Sequence, residues 1–152
     1  MATRRVNVRG IIVNEKGHLL VTKFRQEGKE NNEREYWGTF GGGLDENESL
    51  ANGLHREMIE ETGIAPKIGK LLFIQQFHDG EKEQFELFFH ITNFEDYSEI
   101  KLEDTSHGIL ELTRAEFVDP KTNFVLPEFL STVDIQAHIN NELPVHIHNE
   151  LV

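Results

Sequence analysis

The chain has 152 residues, with 38% hydrophobic and 28% charged, which suits one folded domain with room for a core. Its 27 acidic residues against 15 basic ones give a net charge of −12. That charge argues against generic binding to nucleic-acid polymers or an anionic membrane, since either surface repels it at long range. There is no cysteine, so disulfides, thiolate metal sites, iron–sulfur clusters and cysteine nucleophiles are excluded. The opening MATRRVNVRG lacks the apolar run of a secretory signal, and no stretch approaches the roughly 20 apolar residues that span a bilayer. A soluble, cytoplasmic protein is the expectation.

Residues 4–14 end in an apolar run, Asn14-Glu15-Lys16-Gly17 carries turn chemistry, and 18–25 reads as a second strand, so a hairpin is expected. Residues 26–35 are polar and read as a surface loop. A short strand over 36–40 then runs into Gly41-Gly42-Gly43. Residues 48–62 carry the helical period, with Leu50, Leu54 and Met58 at i, i+4 and i+8. Asp45 or Asn47 can cap that helix, and Gly63 stands where a terminating glycine belongs. Past Pro66, 68–77 and 84–94 read as strands on either side of a polar turn. An acidic loop covers 95–108, and 109–112 reads as a short last strand. A helix is expected over 127–140, with Pro127 in its first turn. No repeat or linker interrupts residues 1–152, which read as one domain of α/β or α+β class with a mixed sheet.

The helix over 48–62 has an unusual distribution of charge. On a wheel of about 100° per residue, Glu61 falls inside the arc of Leu50, Leu54 and Met58, and Glu57 borders it. Glu57, Glu60 and Glu61 stand at i, i+3 and i+4, where like charges repel unless something neutralises them. A solvated acidic face would lie opposite the leucines, and these carboxylates abut them. Clustered, partly desolvated carboxylates suit Mg²⁺ or Mn²⁺ better than zinc.

Gly42, Glu48, Arg56-Glu57-Met58, Glu60-Glu61 and Gly63-Ile64 stand in the spacing G-x5-E-x7-R-E-U-x-E-E-x-G-U. That pattern resembles the box of the Nudix hydrolases, MutT-like enzymes, at every fixed position. Phe40 in place of the usual proline, Asn47 in place of a glycine and Gly53 in place of a small alanine depart from it, and none removes a carboxylate. The resemblance implies a Nudix-type α/β/α sandwich around a mixed β-sheet. It also implies hydrolysis of a nucleoside diphosphate linked to a further group X. It carries Glu57, Glu60 and Glu61 over as ligands of Mg²⁺ (or Mn²⁺), with the Gly41 carbonyl as a further ligand. Glu48 and Arg56 are the remaining charged positions, with Arg56 orienting a box carboxylate.

The general base is either a box glutamate or an acid in the loop before the last strand, where Glu99, Glu103 and Asp104 stand and counting back favours Glu103. Lys23, Arg25 and Arg34 are candidate phosphate contacts, and Trp37 or Tyr36 could stack on a base. Each also has a plainer reading as surface charge or core. His146 and His148 resemble a metal pair, although a strand-like tail accounts for them without further ligands. The markers of ADP-ribose, dinucleoside polyphosphate and NADH-cleaving subgroups are absent, so a house-cleaning nucleoside triphosphate comes first and ADP-ribose second. A catalytically inactive nucleotide-binding module is the alternative, and a homodimer is an arrangement the family often adopts.

Overall fold

The fold is described from a computed structural model, for residues 3–26 and 33–151. Most of the loop expected over 26–35 lies outside these residues. Among the described residues, eight strands fall into two sheets. The larger has the order β4-β1-β6-β5-β8, built from β1 (Arg4–Ile11), β4 (Gly41–Gly43), β5 (Ile68–His78), β6 (Glu83–Ile91) and β8 (His146–Asn149). It is mixed: β1 runs parallel to β6 and β5 parallel to β8, whereas β4 and the β5–β6 pair are antiparallel. The smaller sheet, β3-β2-β7, joins β3 (Glu33–Gly38), β2 (Leu19–Arg25) and β7 (Leu112–Val118) antiparallel.

The expected hairpin of the first two strands is therefore corrected. The turn forms, with the Gly17 N–H donating to the Asn14 carbonyl, but the two segments stay together only next to it, through the bridge Val13–Leu19 and the bonds Asn14 N–H to His18 carbonyl and Leu20 N–H to Ile12 carbonyl. Beyond it they part into different sheets, because β1 finds eight register partners along β6.

Helix α1 (Leu50–Thr62) buries Gly53, Leu54, Met58, Glu61 and Thr62 against the larger sheet. Leu50, expected in that stripe, is 37% exposed, because α1 begins only there. Neither Asp45 nor Asn47 caps it. The Ser49 hydroxyl accepts from the Asn52 N–H at 3.1 Å, satisfying an orphan donor of the first turn. Gly63 ends the helix at φ 75°, in the left-handed region where glycine carries no Cβ penalty.

Two cores lie on opposite faces. Val8, Leu54, Met58, Ile91 and Tyr97 fill the one beneath α1. Ile11, Phe73, Phe88, Phe129 and Ile135 fill the other. The second is closed by a 3-10 turn (Glu128–Ser131) and helix α3 (Ile135–Ile139), which replace the helix expected over 127–140. The side chain of Asp134 accepts from the Ala137 N–H and starts α3 afresh, so Phe129, Leu130 and Ile135 all turn inward. The last strand expected over 109–112 is also corrected. Gly108–Glu111 is a single helical turn, α2, and β7 follows it. Residues 146–149 are the strand-like tail, paired with β5.

Candidate active site

The glycine run sets the geometry. Gly41 has φ 135°, and a Cβ there would lie 2.1 Å from the Val8 carbonyl oxygen, so β4 can cross β1 this closely only as glycine. At Gly42 a Cβ would meet the Glu57 carboxylate at 2.7–2.8 Å. The missing side chain is the space in which Glu57 sits. Glu61 is 5% exposed, and its Oε2 accepts from the Gly41 N–H at 3.2 Å.

Arg56 organises the outer part of the cluster. Its guanidinium donates to both oxygens of Glu48 at 2.8 and 2.9 Å, to Glu57 at 3.0 Å, to Glu60 at 3.3 Å and to the Gly43 carbonyl at 3.0 Å. These bonds hold the Glu48 carboxyl down at about 2, helped by the Asp45 N–H, and push the guanidinium further up. Glu57 moves the other way, raised by burial that Arg56 offsets only in part. Burial is also the main reason Glu61 is pushed up to about 8, and Arg9 is the strongest counterweight.

Arg9 escaped the sequence reading. Its Nε donates to Glu86 at 3.1 Å and its Nη1 to the carbonyls of Thr39 and Gly41, each at 3.2 Å. The available signal was a lone cation inside the apolar run of the first strand. Arg9 lines a cleft of about 2000 Å³ that Glu57, Glu60 and Glu61 do not line, and from there its charge still acts on Glu61.

Arg25, Arg34 and Tyr36 line that cleft, as does Glu111 on α2. Lys23 and Trp37 do not. The Lys23 Nζ donates to the carbonyls of Arg34 and Glu35, and the Trp37 ring lies buried between Lys23 and Arg114. Glu103 sits exposed on the 3-10 turn Leu102–Asp104, and neither it, Glu99 nor Asp104 reaches the cleft. Glu111, immediately before β7, does reach it, and is close enough to raise the Glu61 carboxyl. In the sequence it falls inside the strand expected over 109–112.

The segment carrying Glu111 is fastened to α1. The His107 N–H donates to the Glu60 carbonyl at 3.0 Å, and a Cβ on Gly108 would lie 2.7 Å from the Glu61 carbonyl oxygen.

The donors here are hard oxygens, which suit a divalent cation of the magnesium type. Glu57, Glu60, Glu61 and the Gly41 carbonyl fit such an ion in the chemistry of their oxygens. Among the described residues no three His, Asp or Glu side chains stand close enough to share an ion as packed. Arg56 holds Glu57 and Glu60, and a cation would have to draw them away.

The family model described as NUDIX domain matches residues 3–134. The chain belongs to the Nudix family. A curated relative, an RNA pyrophosphohydrolase of Pasteurella multocida, is 36% identical over 72 residues, 47% of this chain. The match spans about a third (33%) of that relative's own length. The Nudix fold is shared with a MutT protein of Methanosarcina mazei at TM-score 0.70 and 22% identity, covering 94% of this chain and 98% of that one. It is also shared with an ADP-ribose pyrophosphatase of Streptococcus suis at TM-score 0.57 and 14% identity, covering 97% and 98%. Nudix hydrolases as a group need a divalent metal ion.

Proposed function

We propose that the chain hydrolyses a phosphoanhydride bond in a nucleoside diphosphate linked to X, with Mg²⁺ or Mn²⁺ held by Glu57, Glu60, Glu61 and the Gly41 carbonyl. One observation carries the reading: the buried Glu61, with Glu57 in the space left by Gly42, lies near Arg9 and Glu111, and both of these line a cleft with ample room for a nucleotide. When bound, the cation offsets phosphate charge and lowers the pKa of the attacking water.

The chain's own groups supply the rest. Arg56 keeps the Glu48 and Glu57 carboxylates oriented. Arg9 places positive charge where an anionic substrate must pass, which a chain of net charge −12 needs. Glu111, rather than Glu103, takes the proton of the water that attacks phosphorus, and the second phosphate departs as the anhydride P–O bond breaks. A nucleoside triphosphate is the first substrate class and ADP-ribose the second.

A chromatographic screen for nucleotide, sugar-phosphate and pyrophosphate products over nucleoside triphosphates, ADP-ribose, dinucleoside polyphosphates, coenzyme A and a 5′-triphosphorylated RNA, with Mg²⁺ and with Mn²⁺, tests the reading. Turnover of at least one substrate is expected, and Glu57→Gln or Glu61→Gln should abolish it. Near-full turnover in either variant overturns the metal assignment. Silence across the panel with cation bound favours the binding module. Glu111→Gln should lower kcat by about 10²–10⁴-fold with KM little changed, and an unchanged kcat returns the base to the box.

A further inference from the structure

The floor of the cleft carries a row of side chains that the proposed chemistry does not use. Gln75 on β5 stands in register with Glu86 on β6 and with His148 on β8, and all three line the cleft. Gln75 is 6% exposed, and its Oε1 is buried without a hydrogen-bond donor. A buried acceptor left in that state is uncommon and costly to a fold.

A half-turn about the last torsion of Gln75 exchanges its oxygen and nitrogen. Glu86, whose carboxylate can accept from that nitrogen, is its directly opposed neighbour, at the roughly 5 Å Cβ separation of cross-strand pairs. Asn7 offers a contrast. Its Oδ1 also lacks a donor, but Asn7 lies outside the cleft and its Nδ2 is committed to Gln84.

The surrounding charges say what the floor can accept. One oxygen of Glu86 takes the Arg9 Nε–H, and Glu128 and Glu150 stand farther along the same cleft. His148 faces Glu150 at 3.1 Å. Acceptors and carboxylates repel a phosphate and attract N–H and O–H groups.

We infer that Gln75, with Glu86 and His148 beside it, is a specificity site for an uncharged hydrogen-bond-donating part of the substrate, which lies on this floor while its phosphates lie at Arg9. The inference rests on the nucleotide reading of the cleft. Two sources share that chemistry, the hydroxyls of a terminal sugar and the amino group of a nucleobase.

The test uses the ¹⁵N-labelled chain in EDTA, where hydrolysis is off, titrated with ADP-ribose, ADP and inorganic tripolyphosphate. ADP-ribose should shift the Gln75 side-chain NH₂ resonances, and tripolyphosphate should not. If ADP shifts them equally and 2′,3′-dideoxy-ADP does too, the donor is the nucleobase; if only ADP-ribose does, it is the terminal ribose. Gln75→Met keeps length and flexibility and removes the amide, so it should weaken the shifting ligand about tenfold and leave tripolyphosphate unchanged.

Gln75 resonances unmoved by both nucleotides, or Gln75→Met binding all three ligands as the parent does, overturns the assignment. The wild-type titration decides the matter if that variant fails to fold. A chain that binds through Gln75 but hydrolyses nothing with Mg²⁺ or Mn²⁺ loses the catalytic reading and keeps this one. Hydrolysis with Gln75 silent does the reverse.

Discussion

Glu61 and Glu48 are carboxylates of one box whose surroundings drive them in opposite directions. Burial raises Glu61 from 4.5 to about 8, and Arg56 lowers Glu48 from 4.5 to about 2. For Glu61 the folded chain holds a proton that the unfolded chain has released above about 4.5. Its contribution to stability therefore declines as pH rises from about 4.5 through about 8. For Glu48 the contribution is present above about 4.5 and is lost as pH falls toward about 2. In EDTA the thermal midpoint should fall between pH 5 and pH 8, and Mg²⁺ should restore it most at the alkaline end. A midpoint flat across that range, followed by scanning calorimetry, would remove Glu61 as a buried proton holder. Arg56→Ala leaves the Glu48 and Glu57 carboxylates without their cation and should cost about 2 kcal/mol in urea unfolding, with Arg56→Lys recovering only part of it. The Glu61 position was legible from the helical wheel. Arg9 and Gln75 were not, because their meaning comes from strands β6 and β8, far away in the chain.

At the scale of elements, α1 was readable because its apolar period and its terminating glycine agree. Gly53 in its interior contradicts helix propensity, and the packing explains it: a Cβ there would meet Leu44 Cδ2 at 2.2 Å and Glu48 Oε1 at 3.0 Å. Gly53→Ala should therefore fall short of the roughly 1 kcal/mol gain that propensity alone promises. A full gain in urea unfolding would mean Leu44 moves aside freely. Segment 109–112, expected as a strand, differs because a short apolar run such as Ile-Leu-Glu-Leu does not distinguish strand from helix by period. It forms a helical turn pinned by the Thr105 hydroxyl, which accepts from the Gly108 N–H at 2.8 Å. A Cβ on Gly108 would lie 2.1 Å from that hydroxyl. Gly108→Ala should displace α2 and lower kcat more than it lowers the thermal midpoint. Equal loss in both would make the glycine a matter of stability alone. The helix expected over 127–140 failed for a related reason. Its apolar residues serve one core, but Asp134 caps a new helix midway.

At the scale of the molecule, composition separated what could not bind from what could, and pairing was the part it concealed. Sheet membership depends on long-range partners, so the parting of β1 and β2 left no local trace. That parting opens the cleft. The proposed chemistry draws on β1, β4, α1 and α2, whereas Gln75, Glu86 and His148 belong to β5, β6 and β8. The β1–β6 pairing and the Arg9–Glu86 ion pair join the two groups. Substitutions at distant, independent sites combine additively within about 0.5 kcal/mol. Descendants of this chain can therefore exchange one substrate for another by altering the edge strand and its neighbour, while the hydrolytic centre is inherited unchanged.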